Sequence, residues 1–507
     1  MTTTQNLHRR SAAYIPLLIL FVCSAIIVFF QAFRYTFPLG YAGMYTLIAE
    51  RISESNFRLP MSIPHYGPGG IGLSYPPFAM YVFALAIKLG VPIWTYLKFA
   101  PAIFSLVAMI PLYRLTLELT ESRVAGILAV ILFLTTPVEY YTHVWSAGVV
   151  RGLALGFCLA GLFFYLRALK DGHWRNLLWA GMFLGLLLTT HWLYIVFAAL
   201  AGLAFLISER NLSRVPIALA ILGIAVLVAS PWLILIVQRH GISNIMLAYA
   251  SHGNVDFFRS LQDMPRALDF IAQNLGYVTA NKFLAALTLP GLILLIVRRK
   301  FHLPLTFLLV LLMGTADIFI QIPAVMMAGA FSAEIFRLAQ KNLHFRNALE
   351  LKSLAPVLAV ITSICIVLSA LQGLSQIVQY RPELDWNSME TASFVRDHTK
   401  PGATYLFVGK INEAEWFPYL LDRTPVFSLW GSEWKGTYAQ QAEILIELRS
   451  CELQKSWACM ESLQHKYSVS PDLLVVPNKR WLVLQLKDTK AWDIIYTGER
   501  YLVWEKK

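Results

Sequence analysis

The chain has 507 residues, of which 57% are hydrophobic and 14% charged, and it carries a formal net charge of +12. Charged residues make up about a quarter of an ordinary soluble domain, so this deficit, concentrated in long apolar runs, excludes a soluble globular protein and reads as an integral membrane protein. The positive charge does not read as a nucleic-acid surface, because the Lys and Arg clusters sit between apolar spans, where they orient a chain in the bilayer.

Residues 1–12 are polar and basic and read as a cytoplasmic tail, and the apolar run behind them is long enough to stay as a span and lacks a small-residue cleavage site. About eleven transmembrane helices are expected, near 13–31, 94–113, 123–138, 150–167, 176–190, 192–208, 214–237, 282–297, 303–320, 322–338 and 353–373. Basic residues cluster on alternate connections: Arg9 and Arg10, Arg114 and Arg123, Arg167, Lys170 and Arg175, Arg210 and Arg214, Arg298, Arg299 and Lys300, then Arg337, Lys341, Arg346 and Lys352. That asymmetry predicts a cytoplasmic amino terminus, and an odd number of spans then places the C-terminal region outside.

Two outer connections are long, the first over 32–93 and the fourth over 238–281, and connections of this length usually do something. The first holds two short helical patterns, 41–55 and 77–89, joined by RLPMSIPHYGPGGIGLSYPP. The second pattern is apolar but short for a crossing, which suits a re-entrant or surface-lying segment. From 374 to 507 the composition changes, and alternating helix and strand patterns predict a small extracytoplasmic α/β domain behind the 13–373 membrane domain. That region contains no glycine-rich phosphate loop and no CxxC pair, so a supporting or recognising role is expected. Cys23, Cys158 and Cys365 lie in apolar spans and read as small buried hydrophobes. Cys451 and Cys459 lie in the polar region, and a disulfide between them requires the helix pattern of 437–467 to break between them.

Several short motifs follow one another in order. GYAGMYTLIAERI follows the first span, Tyr75-Pro76-Pro77-Phe78 opens the short apolar helix, and Thr136-Pro137 ends a span before VEYYTHVWSAGVVRG. Ser230-Pro231-Trp232 then leads into the long fourth outer loop. In this order residues 13–373 resemble the GT-C-fold membrane glycosyltransferases, in particular the branch of protein O-mannosyltransferases and lipid A aminoarabinose transferases. The resemblance implies transfer of a sugar from a polyprenyl-phosphate donor, at the outer face of the plasma (inner) membrane, to a glycan, lipid or protein acceptor. It also implies an acid in the first outer loop as the usual base, and this chain has Tyr41 at that place.

The reaction needs a base for the acceptor hydroxyl and positive charge for the leaving phosphate. The first loop offers only Glu50 and Glu54, which read as a solvated helix face. In the second outer loop Glu139 and His143 are four apart, on one face if helical, and Glu139 is the expected base. The pair would also be half of a divalent-metal site, although no metal ligand is assigned and the cofactor is unknown. Arg151, among small residues, reads either as a ligand of donor phosphate or as a side chain snorkelling to headgroups. His191, Arg239 and Arg259 are further candidates for the phosphate, and Tyr41, Tyr45, His65 and Tyr75 for the acceptor cleft. Asp317 lies inside a span, where an acid is costly unless paired. Two other functions compete: a non-catalytic relative that binds lipid-linked glycan or scaffolds a glycan-assembly complex, which the loss of the acid at Tyr41 favours, and a transporter, against which stand the large outer loops and the absence of a convincing internal repeat.

Overall fold

The computed structural model describes residues 3–67, 69–251, 264–313, 316–344 and 354–507. In chain order the helices are α1 (Thr3–Arg34), α2 (Gly43–Glu54), α3 (Phe78–Lys88), α4 (Ile93–Thr120), α5 (Arg123–Leu134), α6 (Pro137–His143), α7 (Gly148–Asp171), α8 (Trp174–Leu188), α9 (Trp192–Ser208) and α10 (Val215–Ser251). They continue with α11 (Met264–Thr279), α12 (Lys282–Val297), α13 (His302–Val310), α14 (Ala316–Phe319), α15 (Gln321–His344), α16 (Leu354–Ile377), α17 (Trp386–His398), α18 (Ile411–Leu421), α19 (Tyr438–Leu453), α20 (Trp457–Lys466) and α21 (Arg480–Thr489). Among the described residues five helices are long and apolar enough to cross a membrane, or up to seven if each of two bent pairs is one span. The count of eleven expected from hydropathy is not reached by this measure. Helices α8 and α9 fall among the shorter apolar helices because Thr189, Thr190 and His191 break the apolar run between them. Helix α3, with 11 residues, is also shorter than a crossing.

The chain divides into two compact units, and they do not follow chain order. The first comprises Met1–Thr36, Phe99–Pro231 and Asp256–Tyr380; the second comprises Phe37–Lys98, Trp232–Val255 and Arg381–Lys507. The first outer loop, drawn from sequence as part of the membrane domain, therefore belongs to the same unit as the C-terminal region.

In the first unit α15 packs against both α5 and α12, α16 lies on α15, and α7 packs on α8 and α9. The α5 run stops at Thr135, and α6 restarts with Pro137 in its first turn, where the missing N–H costs nothing. The two helices meet at 72°. Gly148 opens α7 directly over the end of α6: a Cβ there would lie 2.0 Å from the carbonyl oxygen of His143, so no larger residue fits.

In the second unit a five-stranded sheet has the order β4-β3-β5-β7-β6. Strand β3 (Thr404–Phe407) is parallel to both β4 (Thr424–Pro425) and β5 (Leu473–Pro477), and β7 (Tyr501–Lys506) is antiparallel to β5 and to β6 (Trp492–Thr497). Strand β4 is only two residues long. Leu406, Val476, Leu482, Leu486, Leu502 and Trp504 belong to the buried apolar core of this sheet. The helix pattern of 437–467 breaks at Gln454–Ser456, which brings the Cα atoms of Cys451 and Cys459 to 5.5 Å, and the two are joined by a disulfide.

The first loop is tied to this sheet region by buried hydrogen bonds. Helix α2 has Ala42 at its N-cap with no side-chain cap, so its first amides need partners from elsewhere. Glu415 on α18 supplies them: its two carboxylate oxygens accept from Gly43 N and Met44 N, each at 2.8 Å. Around this grip Trp416 Nε1 donates to Gly40 O at 2.7 Å, Tyr66 Oη donates to Glu415 O at 2.7 Å, and Tyr419 Oη donates to Glu50 at 3.0 Å. Glu50, expected on a solvated face, is thus partnered. Burial outweighs the two amide bonds and pushes the Glu415 carboxyl up to about 7. A carboxyl raised above its unfolded value of about 4.3 contributes stability that is fully present below that pH and is lost as the pH rises through about 7. The melting temperature of the detergent-solubilised protein is therefore expected to fall between pH 5 and 8, and Glu415→Gln to make the fall shallower. An unchanged slope would show that the group does not titrate in this window.

Candidate active site

Helix α6 carries both residues expected to hold the chemistry of the second outer loop. Glu139 and His143 sit one turn apart, with side chains 2% and 1% exposed. Glu139 Oε2 lies 2.9 Å from His143 Nδ1, and the Glu139 backbone oxygen lies 3.1 Å from the same nitrogen. Both neighbours of Nδ1 are acceptors, so in the neutral imidazole Nδ1 carries the proton and Nε2 is the acceptor side of the ring. Tyr194 Oη donates to Nε2 at 2.6 Å. The Tyr194 ring in turn meets His191 edge-on at 5.1 Å and Phe319 at 4.9 Å. The result is a buried run Glu139–His143–Tyr194–His191 that crosses from α6 to the start of α9. The Glu139 carbonyl and Tyr194 orient the imidazole, and neither Glu139 Oε1 nor Oε2, the latter in close charge contact with His143, has a well-formed hydrogen bond among the described residues.

Asp317, on α14, lies within electrostatic reach of both Glu139 and the Arg151 guanidinium, and Tyr141 is within reach of all three. Arg151 stands on the first turn of α7, held against α6 by the close approach at Gly148. Trp145 packs edge-on against Tyr380 at 5.0 Å, and Tyr140 stacks on Tyr380 at 6.4 Å. The structure therefore brings together Glu139, His143, Arg151 and His191 in the first unit and adds Tyr194 and Asp317 to them. Among the described residues no group of three or more His, Cys, Asp and Glu could hold a metal ion. Glu139 and His143 offer two ligands, and the second nitrogen of His143 is engaged by Tyr194.

The candidates of the second unit separate. Tyr41, Tyr45 and Tyr75 join an aromatic cluster: Tyr45 and Tyr75 have ring centroids 5.6 Å apart and hydroxyls 3.2 Å apart, Tyr75 meets Trp434 at 6.2 Å, and Tyr41 meets Trp430 at 5.6 Å. His65 is turned elsewhere, with Nδ1 2.9 Å from Thr424 Oγ1 and Nε2 3.1 Å from Asp422, where it latches the first loop to the strand edge. Arg239 donates to Leu59 O at 3.0 Å, a bond within the loop scaffold. Arg259 lies outside the described residues. Sequence reading missed Glu433, which is buried beside Trp434, and burial pushes its carboxyl up to about 7. Its signal was present as an acid between two tryptophans in WGSEW. Tyr194 was missed as well, and three residues after His191 it reads as an ordinary aromatic of a span.

A model of the dolichyl-phosphate-mannose-protein mannosyltransferase family matches residues 74–235. None of the curated proteins compared matches the chain. Among solved structures, the archaeal oligosaccharyltransferase AglB from Archaeoglobus fulgidus, in complex with an inhibitory peptide and a dolichol-phosphate, superposes with a TM-score of 0.60 at 15% identity, over 91% of this chain and 69% of that one. ArnT from Cupriavidus metallidurans bound to undecaprenyl phosphate superposes with a TM-score of 0.58 at 13% identity, over 96% of this chain and 97% of that one.

Removing the hydroxyl that holds His143 leaves a buried imidazole nitrogen unpaired. Tyr194→Phe is expected to cost about 1–3 kcal/mol, read as a lower melting temperature in detergent, and a variant as stable as the parent would show that this bond does not hold the site. With five to seven candidate spans and these structural likenesses, the chain is a multi-pass membrane protein with the GT-C fold, the fold of membrane glycosyltransferases.

Proposed function

We propose that this protein transfers a sugar from a polyprenyl-phosphate donor to an acceptor hydroxyl at the non-cytoplasmic face of the membrane. The observation that carries this reading is the buried Glu139–His143–Tyr194 chain. An acid at a membrane boundary, in charge contact with a fixed imidazole and with neither oxygen well hydrogen-bonded among the described residues, is an arrangement that costs stability and suits a proton acceptor. In the step proposed, Glu139 takes the proton of the acceptor hydroxyl. The new bond forms between that oxygen and the anomeric carbon of the sugar. The bond from that carbon to phosphate oxygen breaks, and the polyprenyl phosphate leaves with the charge. Arg151 and His191 are the groups assigned to that charge. The GT-C fold supports the reading, as do the dolichol-phosphate and undecaprenyl phosphate bound by the similar structures. Arg239 is assigned instead to holding the first loop, through Leu59.

The outer placement of the C-terminal region rests on the charge asymmetry of the connections and on the Cys451–Cys459 disulfide, a bond that persists in oxidising compartments. The absence of an acid at Tyr41 favours a second reading, in which the chain binds lipid-linked glycan without turning it over. One experiment separates them. Purified protein given a polyprenyl-phosphate sugar is expected to release polyprenyl phosphate in an acceptor-dependent manner, and Glu139→Gln to lower the rate by about 100-fold or more. The same turnover in Glu139→Gln would remove Glu139 from the base role, and no turnover in the parent protein would favour the non-catalytic reading.

A further inference from the structure

The segment Trp430-Gly431-Ser432-Glu433-Trp434 is seated by a glycine pair. Gly431 has φ +87° and Gly67 has φ +61°, and a Cβ on Gly431 would come within 2.9 Å of Gly67 N. Gly67 N donates to Trp430 O at 2.9 Å. Only two residues without side chains allow this approach, and it fixes both tryptophans against the first-loop tyrosines: Trp430 beside Tyr41, and Trp434 beside Tyr75. Glu433 lies between them in the chain. It is 8% exposed, the backbone amides of Gly431 and of Glu433 itself lie close enough to favour its charged form, and its Oε2 has no hydrogen-bond partner among the described residues. The charge of Glu433 is felt at Tyr438, which also lies within electrostatic reach of Tyr41. Tyr41, Trp430 and Tyr438 are each only partly buried, so the cluster reaches the surface along that side.

A carboxyl oxygen taken out of water and left without a hydrogen-bond partner is costly, and a ligand hydroxyl can supply one. The surroundings select the ligand's chemistry. An anion is repelled by the carboxylate, and an acyl chain would leave it unpaired. A pyranose offers hydroxyl donors at its edge and an apolar C–H face for an aromatic ring. We propose that Trp430, Glu433 and Trp434, with Tyr41 and Tyr75, form a binding site for a neutral glycan acceptor, in which Glu433 Oε2 accepts from a ring hydroxyl and Trp430 stacks on a sugar face. As an acceptor site this rests on the transfer reading above, and it narrows the acceptor from glycan, lipid or protein to a glycan. Glu433 here is a binding residue, and it supplies a carboxylate on the side of the first loop where Tyr41 stands in place of an acid.

The test is binding without donor, which separates it from turnover. Cellotriose, a neutral linear glycan with an apolar C–H face on every ring, is titrated into the full-length protein in detergent and followed by saturation-transfer NMR. Saturation of the sugar-ring protons is expected with the parent protein. Above about pH 8, where Glu433 is ionised, affinity is expected to fall about tenfold or more in Glu433→Gln, which replaces a charged acceptor by a neutral one, and the signal to vanish in Trp430→Ala. Both variants are checked for an unchanged melting temperature, and Trp430→Leu replaces Trp430→Ala if the latter does not fold. No saturation at millimolar cellotriose, or equal affinity in the parent and Glu433→Gln, would overturn the proposal. A parent protein that binds cellotriose but transfers no sugar would overturn the transfer reading alone.

Discussion

A polar group taken out of water must find its partner inside the protein, and both units of this chain are organised by that constraint. In the first unit it joins Glu139, His143 and Tyr194 into one hydrogen-bonded run across helices that are otherwise apolar. In the second unit it turns Glu415 into the cap of a helix 372 residues away in sequence. Each acid is expensive to bury, and each is held by groups whose own positions are set by close packing. At α6 this is the contact with Gly148, and around Glu415 it is the ring of Tyr66, Trp416 and Tyr419.

The two acids are held differently, and the difference bears on what each can do. Glu415 has both oxygens occupied by backbone amides, so it is a structural group. Glu139 and Glu433 are buried with at least one carboxyl oxygen lacking a hydrogen-bond partner among the described residues. Such an oxygen destabilises the fold slightly and is available to something that arrives with a proton. The contrast separates a carboxyl satisfied by backbone amides from carboxyls that keep an open position, which composition alone cannot do.

The tie between the first loop and the C-terminal region gives that region a purpose beyond support. Glu415, Trp416 and the Gly67–Gly431 approach set the direction of α2 and of the loop behind it, and thereby the facing of Tyr41, Tyr45 and Tyr75. His65 and Arg239, which read as site residues in sequence, act in this scaffold: one latches to Thr424 and Asp422, the other to the Leu59 carbonyl. A charged side chain in an outer loop can serve the backbone as readily as a ligand, and only its neighbours distinguish the two.

The sequence by itself determined that this is a membrane chain, that its motifs run in the order of the GT-C fold, and that Glu139 and His143 share a helix face. Those properties are local: hydropathy, motif order and a spacing of four are read within a window of residues. The tertiary structure alone decided that Tyr194 fixes His143, that the first loop belongs with residues 381–507, and that Glu433, with one oxygen unpartnered among the described residues, is buried within electrostatic reach of Tyr438. It also set the ends of α8 and α9, at 15 and 17 residues. Pairing between residues tens to hundreds of positions apart leaves no periodic trace in the chain, because it depends on which surfaces pack together and not on what stands next in line.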